Sequence, residues 1–223
     1  MKIPFTTEQF FNIFGNYNLT VFPVQIIILI LGFAGLFFLH SRETYRNKII
    51  GSYLGLLWIW MGVVYHISFF SKINEAASVF GGIFILQGIL ILLNTIIHDK
   101  LTFTFESKAK DYLGYFFILF GLIIYPIIGY YAEGPISRTI SLGLPCPSTI
   151  FTLGFFMLTN DKFPKYLLII PTLWAFAGLS AAIQFGVYQD FMLIFAALIA
   201  NIFLIKKKDL NLYKHVKPHT RYN

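Results

Sequence analysis

The sequence predicts an all-α, polytopic membrane bundle of about seven transmembrane helices, preceded by an amphipathic helix lying in the membrane interface. Three observations predict it. The 223 residues are 57% hydrophobic and only 12% charged, about half the roughly 25% charged fraction of a soluble domain, so a water-soluble fold would leave too much apolar surface exposed. Long stretches contain no Asp, Glu, Lys or Arg. The cations fall in alternate gaps between those stretches, the pattern expected of a chain that crosses a bilayer repeatedly.

Residues 1–20 read as the interfacial helix. Thr6 and Gln9 form a T-x-x-Q capping box, with Phe5 and Phe10 placed as the two partners of a hydrophobic staple. Phe10, Ile13, Phe14 and Tyr17 then recur at i, i+3, i+4 and i+7, which gathers them on one helical face. A helix with one apolar face lies along a membrane surface. The first apolar run does not end in a small-residue cleavage site, so no removable signal peptide is expected.

Residues 21–206 read as the transmembrane domain. Uncharged runs at 9–41, 49–71, 76–98, 112–132, 139–160 and 166–189 can each hold a helix of about 20 residues, the length that crosses about 30 Å of hydrocarbon. The seventh run, 191–205, is shorter, and extending it back to Val187 takes in only Asp190. Gly51, Gly55 and Gly62 share a face of the second span, and Gly178 and Ala182 a face of the sixth. Small residues at such spacing let helix backbones approach closely. The alternating stretch 101–105 is expected to be a short strand or a loop resting on headgroups.

Charge sets the direction. Fourteen cations (Arg42, Arg46, Lys48, Lys100, Lys108, Lys110, Lys162, Lys165 and six in the tail from Lys206 onward) fall on one side of the seven-span topology, against Lys2, Lys72 and Arg138 on the other. This asymmetry predicts an outside N-terminus and a cytoplasmic C-terminus, with residues 207–223 as a basic cytoplasmic tail. The net charge of +7 thus reports topology. It does not form the basic face of a nucleic-acid reader, and the expected partners are the lipid bilayer, a small solute or ion, and a partner membrane protein.

Absences narrow the chemistry. No lysine stands in the last span before Lys206, which excludes a retinal Schiff base, and no carboxylate lies at mid-bilayer to serve a proton relay. G-x-S-x-G, H-E-x-x-H and Walker motifs are missing, so the hydrolase, zincin and nucleotidase chemistries they carry have no foothold. The single Cys146 has no partner for an intrachain disulfide.

The remaining polar groups cluster near the outer ends of the spans. His66 lies about 25 Å along the second span from Ile49 at 1.5 Å per residue, some 5 Å short of the outer boundary of a layer about 30 Å thick. Tyr65 is beside it, and Asn74 and Glu75 follow in the next turn. In the fifth span, Leu144-Pro145-Cys146-Pro147 places two prolines at membrane depth, where freed backbone groups need protein or water partners. A cavity lined in part by Pro145 and Cys146 follows from that. Tyr125, Gln184 and Asp190 approach the same level. The ligand-binding candidates are Tyr65, His66, Asn74, Pro145, Cys146 and Asp190. His66 and Cys146 are also a candidate soft-metal pair, since imidazole and thiolate suit Cu(I) or Zn(II), but no C-x-x-C or H-x-x-x-H supports them.

Three stretches carry a resemblance. They are Phe5-Thr6-Thr7-Glu8-Gln9-Phe10-Phe11, the run from Trp58 through Tyr65-His66 to Asn74-Glu75-Ala76-Ala77, and Gly143-Leu144-Pro145-Cys146-Pro147-Ser148-Thr149-Ile150-Phe151. Together they resemble a bacterial multi-pass membrane family, domain of unknown function 6064, along the whole chain. In that family the position of Glu75 is usually proline, which weakens any role for Glu75. The resemblance implies a bacterial inner membrane and points to His66 and Cys146. It supplies no catalytic mechanism and no cofactor, and members are loosely labelled permeases. The sequence therefore favours a permease-like or ligand-binding bundle with a site open to the outer face over an enzyme. The alternatives are a metal- or redox-linked membrane enzyme using Cys146 and His66, and a non-catalytic accessory subunit.

Overall fold

The computed structural model describes residues 4–133, 135–160 and 162–205. Lys2 and the basic tail expected over 207–223 lie outside the described residues. Among those described, the regular structure is all helical, with two isolated β-bridges and no strand. The stretch 101–105 therefore does not form a strand. It tucks beneath the bundle as a loop, with Leu101 and Phe103 buried and Phe103 bridged to Thr159.

Helix α1 (Thr7–Val21) begins as expected. Gln9 N–H donates to Thr6 Oγ1 at 3.2 Å and Thr6 N–H to Gln9 Oε1 at 2.8 Å, while the Phe5 and Phe10 rings stack 6.1 Å apart. Its buried face is Phe10, Ile13, Phe14, Tyr17 and Val21. Pro23, which cannot continue the ladder, separates it from α2 (Val24–Leu39), and the two helices meet at 87°. Helix α3 (Arg46–Trp60) continues as a π-helix (Met61–Phe69) and a final turn (Phe70–Lys72). Helix α4 (Ala77–Leu92) continues through Leu93–Ile97, and α5 (Ala109–Leu119) runs through Phe120–Ile124 into α6 (Tyr125–Glu133). Then come α7 (Pro145–Met157), α8 (Ile169–Phe185) and α9 (Phe191–Ile205).

Among the described residues five helices are long and apolar enough to cross a membrane: Arg46–Lys72, Ala77–Ile97, Ala109–Ala132, Lys165–Phe185 and Tyr188–Ile205. A sixth arises if the bent pair α1 and α2 counts as one span. The difference from the seven expected lies chiefly in the run 139–160. Only its 13 residues from Pro145 to Met157 are α-helical, a rise of about 20 Å, and every one except Cys146 is buried. A helix that is apolar all round is equally at home in lipid and in a protein core. Here it is the core, packed against α5, α9 and the Phe120–Ile124 turn.

The outward faces of the other helices are apolar. Ile30 and Phe37 on α2, Val79 on α4, and Leu173 and Ile183 on α8 are all more than half exposed. Such a continuous apolar exterior matches hydrocarbon as the surrounding solvent. Inside, the glycines do what their spacing implies. A Cβ on Gly88 of α4 would lie 2.6 Å from the Gly55 carbonyl oxygen of α3, and one on Gly62 the same distance from that of Gly81. The α5 and α7 pair repeats the device, with Gly154 2.6 Å from the Gly114 carbonyl oxygen on the same measure.

Two ends of the bundle result. At one, Lys48 lies 3.9 Å from Asp99, Lys165 Nζ donates to Ile205 O at 2.8 Å, and Tyr166 and Asn94 hydrogen-bond. Lys110, 7% exposed, donates there to the carbonyls of Met157 and Thr159, a cation closing the C-terminus of α7 where carbonyl groups otherwise lack partners. Arg42, Arg46, Lys100, Lys108 and Lys162 also stand at or between helix ends on this side. At the opposite end, where only Lys72 and Arg138 are cationic among the described residues, α1 lies across the bundle.

Candidate functional site

The end covered by α1 is where the backbone departs most from regular helix. The π-helical turns Met61–Phe69 are wider than α-helical ones and recur at functional sites. They carry Tyr65 and His66. Tyr65 is 3% exposed and stacks on Phe14 of α1 at 5.9 Å and on Phe70 at 5.6 Å. His66 is fully buried, and neither ring nitrogen has a hydrogen-bond partner. The rings of Tyr65, Phe70, Phe80, Phe84 and Trp174 stand 4.5 to 6.2 Å from it, centroid to centroid.

The two prolines act differently from expectation. They start α7 and do not interrupt a longer helix: Leu144 is extended and Pro145 occupies the first turn, a position where its missing N–H costs nothing. The preceding Gly143 has φ +101°, a conformation that side-chain-bearing residues rarely adopt. Its carbonyl accepts a bond from Tyr17 Oη at 3.2 Å, and Tyr17 Oη in turn accepts from Trp60 Nε1 at 2.7 Å. Tyr17 thereby ties α1 to both α3 and the entry of α7. Asn18 adds bonds from α1 to the carbonyls of Ser137 and Thr139.

Gly186, left-handed at φ +73°, closes α8 as glycine commonly does at a helix C-terminus. The short turn Tyr188–Asp190 then opens α9 and buries Asp190 to 2% exposure. The Tyr125 hydroxyl donates to the Asp190 carboxylate, and the Cys146 thiol makes a second side-chain hydrogen bond with it. Spans four, five and seven of the sequence reading thus meet at one carboxylate.

These groups surround a cavity of about 450 Å³, within the range of small-molecule sites. Five of the six expected residues line it: Tyr65, Asn74, Pro145, Cys146 and Asp190. His66 stands behind that wall, among the aromatic rings. Half of the remaining lining is aromatic. Phe5, Phe10 and Phe14 form the α1 side, and Phe70, Phe80, Trp174 and Phe185 come from α3, α4 and α8. Phe10 and Phe185 stack with centroids 4.4 Å apart, so α1 closes over α8 by direct ring contact.

Phe80, Trp174 and Phe185 were not among the sequence candidates. One signal for Trp174 was present, because Ala177 and Gly178 follow it at i+3 and i+4 and leave space on the same face. Among the described residues no three His, Cys, Asp or Glu side chains converge as a metal site.

Helices of this length and apolarity, joined by short turns and enclosing an off-centre cavity, define a polytopic helical membrane bundle. A family model described as "Family of unknown function (DUF6064)" matches residues 7–214, and the chain belongs to that family. No curated protein and no solved structure matches the chain.

Proposed function

We propose that the protein binds a small ligand in the cavity beneath α1 and acts as a permease-like bundle, with this end facing outward and the basic end facing the cytoplasm of a bacterial inner membrane. The observation that carries the reading is the cavity itself. It is a partly open recess of about 450 Å³, of the size and concave form that small-molecule sites take. Its composition supports the same reading, since ligand sites are mostly apolar with a few convergent polar groups, here Asp190, Cys146, Asn74 and Tyr65. The outward direction rests on the cation asymmetry.

The test of function is solute uptake by proteoliposomes containing the full chain, with Trp174→Ala as the variant that opens the cavity wall. Transport reduced at least tenfold by that change supports the reading. Uptake indifferent to it refutes the assignment of the cavity. The test of direction is a reporter fused after Asn223, which must read cytoplasmic.

A metal- or redox-linked reading of Cys146 and His66 draws on one observation, the two unpartnered imidazole nitrogens. Metal analysis of natively purified protein beside Cys146→Ser decides it, and equal content in both sinks it.

A further inference from the structure

Asp190 is buried at the cavity edge. Its hydrogen-bond partners, the Tyr125 hydroxyl and the Cys146 thiol, are neutral. Among the described residues no Lys, Arg or His lies within ion-pair distance of it. A buried carboxyl held by neutral groups takes up either a proton or a counter-ion. The same cavity is lined by aromatic residues, Trp174, Tyr65 and Phe80 among them. Ring faces carry negative electrostatic potential and attract cations, and aromatic cages are a recurrent way of holding quaternary ammonium groups.

On the reading of this cavity as a ligand site, we infer that its ligand class is an organic cation, an alkylated ammonium whose apolar surface packs on the rings and whose charge is met by Asp190. The alternatives fit less well. An anion would meet Asp190 as a like charge. A hard inorganic cation needs six or more oxygen ligands, and rings occupy much of the wall. A neutral apolar ligand would fill the space and leave the carboxyl protonated and unused. The ammonium satisfies both halves of the site, and Tyr125 and Cys146 hold the carboxylate in place for it.

The experiment is calorimetric titration of the detergent-purified full chain with choline and with 3,3-dimethylbutan-1-ol, in which carbon replaces the charged nitrogen. Choline should bind at least tenfold more tightly than this isostere. Asp190→Asn should abolish the preference while retaining isostere binding, and Gly82→Ala, outside the cavity where a new Cβ meets nothing within 4 Å, should keep it. Equal binding of the two probes by the wild-type chain, or a preference that survives Asp190→Asn, overturns the cation inference while leaving the ligand cavity standing. Binding of neither overturns both. The wild-type comparison requires no variant, so an Asp190→Asn protein that fails to fold does not remove the test.

Discussion

Alanine at Gly88 and alanine at Gly82 should move stability in opposite directions, although both positions lie on α4. At Gly88 the new Cβ would sit 2.6 Å from Gly55 O, 2.7 Å from Ile59 Cγ1 and 3.0 Å from Ile59 N. Two of those three atoms are backbone, so no rotamer change relieves the contact. Carbon and oxygen rest about 3.3 Å apart even in close C–H···O contacts, so α3 and α4 must separate by about 0.7 Å. A gap of that size forfeits a quarter to a half of each dispersion contact along the seam, and overpacking of this kind costs about 1–3 kcal/mol. The same Cβ at Gly82 meets nothing within 4 Å. Alanine's helix propensity, worth about 1 kcal/mol over glycine, acts at both sites and cancels between them. The two variants should therefore differ by the overpacking cost alone, about 1–3 kcal/mol, with Gly82→Ala above wild type and Gly88→Ala below it. Unfolding in mixed micelles followed by circular dichroism measures the difference. Equal stability of the two variants would refute close backbone contact as the basis of the α3–α4 seam.

Three further outcomes are expected. Lys110→Met should destabilise by about 3 kcal/mol, the scale of breaking a buried ion pair, because buried Asp111, 3.4 Å away, loses its cation along with the Met157 and Thr159 carbonyls; the same unfolding assay reads it. Thr152→Val removes the acceptor 3.1 Å from buried Trp58 Nε1 and should cost about 1–3 kcal/mol, accompanied by a changed tryptophan emission spectrum. Tyr17→Phe deletes the hydroxyl joining Trp60 to Gly143; amide exchange should accelerate in Thr7–Val21 while Ala77–Leu92 stays protected, and unchanged exchange in α1 would show that Tyr17 does not hold it down.

How much was legible depended on whether the signal was local. The capping box and staple at Thr6, Gln9, Phe5 and Phe10 involve neighbours three to five residues apart, and the structure forms them as read. Gly55 and Gly62 announced a close helix contact, though not that α4 would supply the partner. Depth along each span brought Tyr65, Cys146 and Asp190 to one level, and the fold places all three on one cavity. What stayed hidden was lateral. Rotation about a helix axis decides whether a residue at the right depth faces the cavity or the packing behind it, and it turned His66 away from the lining while turning Trp174 toward it. Burial of α7 was hidden for a related reason, since apolar residues on every side do not distinguish lipid from protein as the neighbour. Lys110 was likewise indistinguishable from Lys108 until the end of α7 was placed beside it.

The contact between Phe10 and Phe185 has a consequence for biosynthesis. One wall of the cavity, from α1, leaves the ribosome well before the other, Trp174 to Asp190. The Phe10 end of α1 must therefore wait without Phe185 while most of the bundle is inserted, with only its earlier partners Tyr65 and Phe70 in place, and the membrane surface is the natural place for it to wait. The amphipathic pattern of α1 then serves two hosts in succession, first the bilayer interface and afterwards the rings of α8. A nascent chain arrested before α8 emerges should leave the Phe10 end of α1 more open to protease, and emergence of α8 should be the event that protects it.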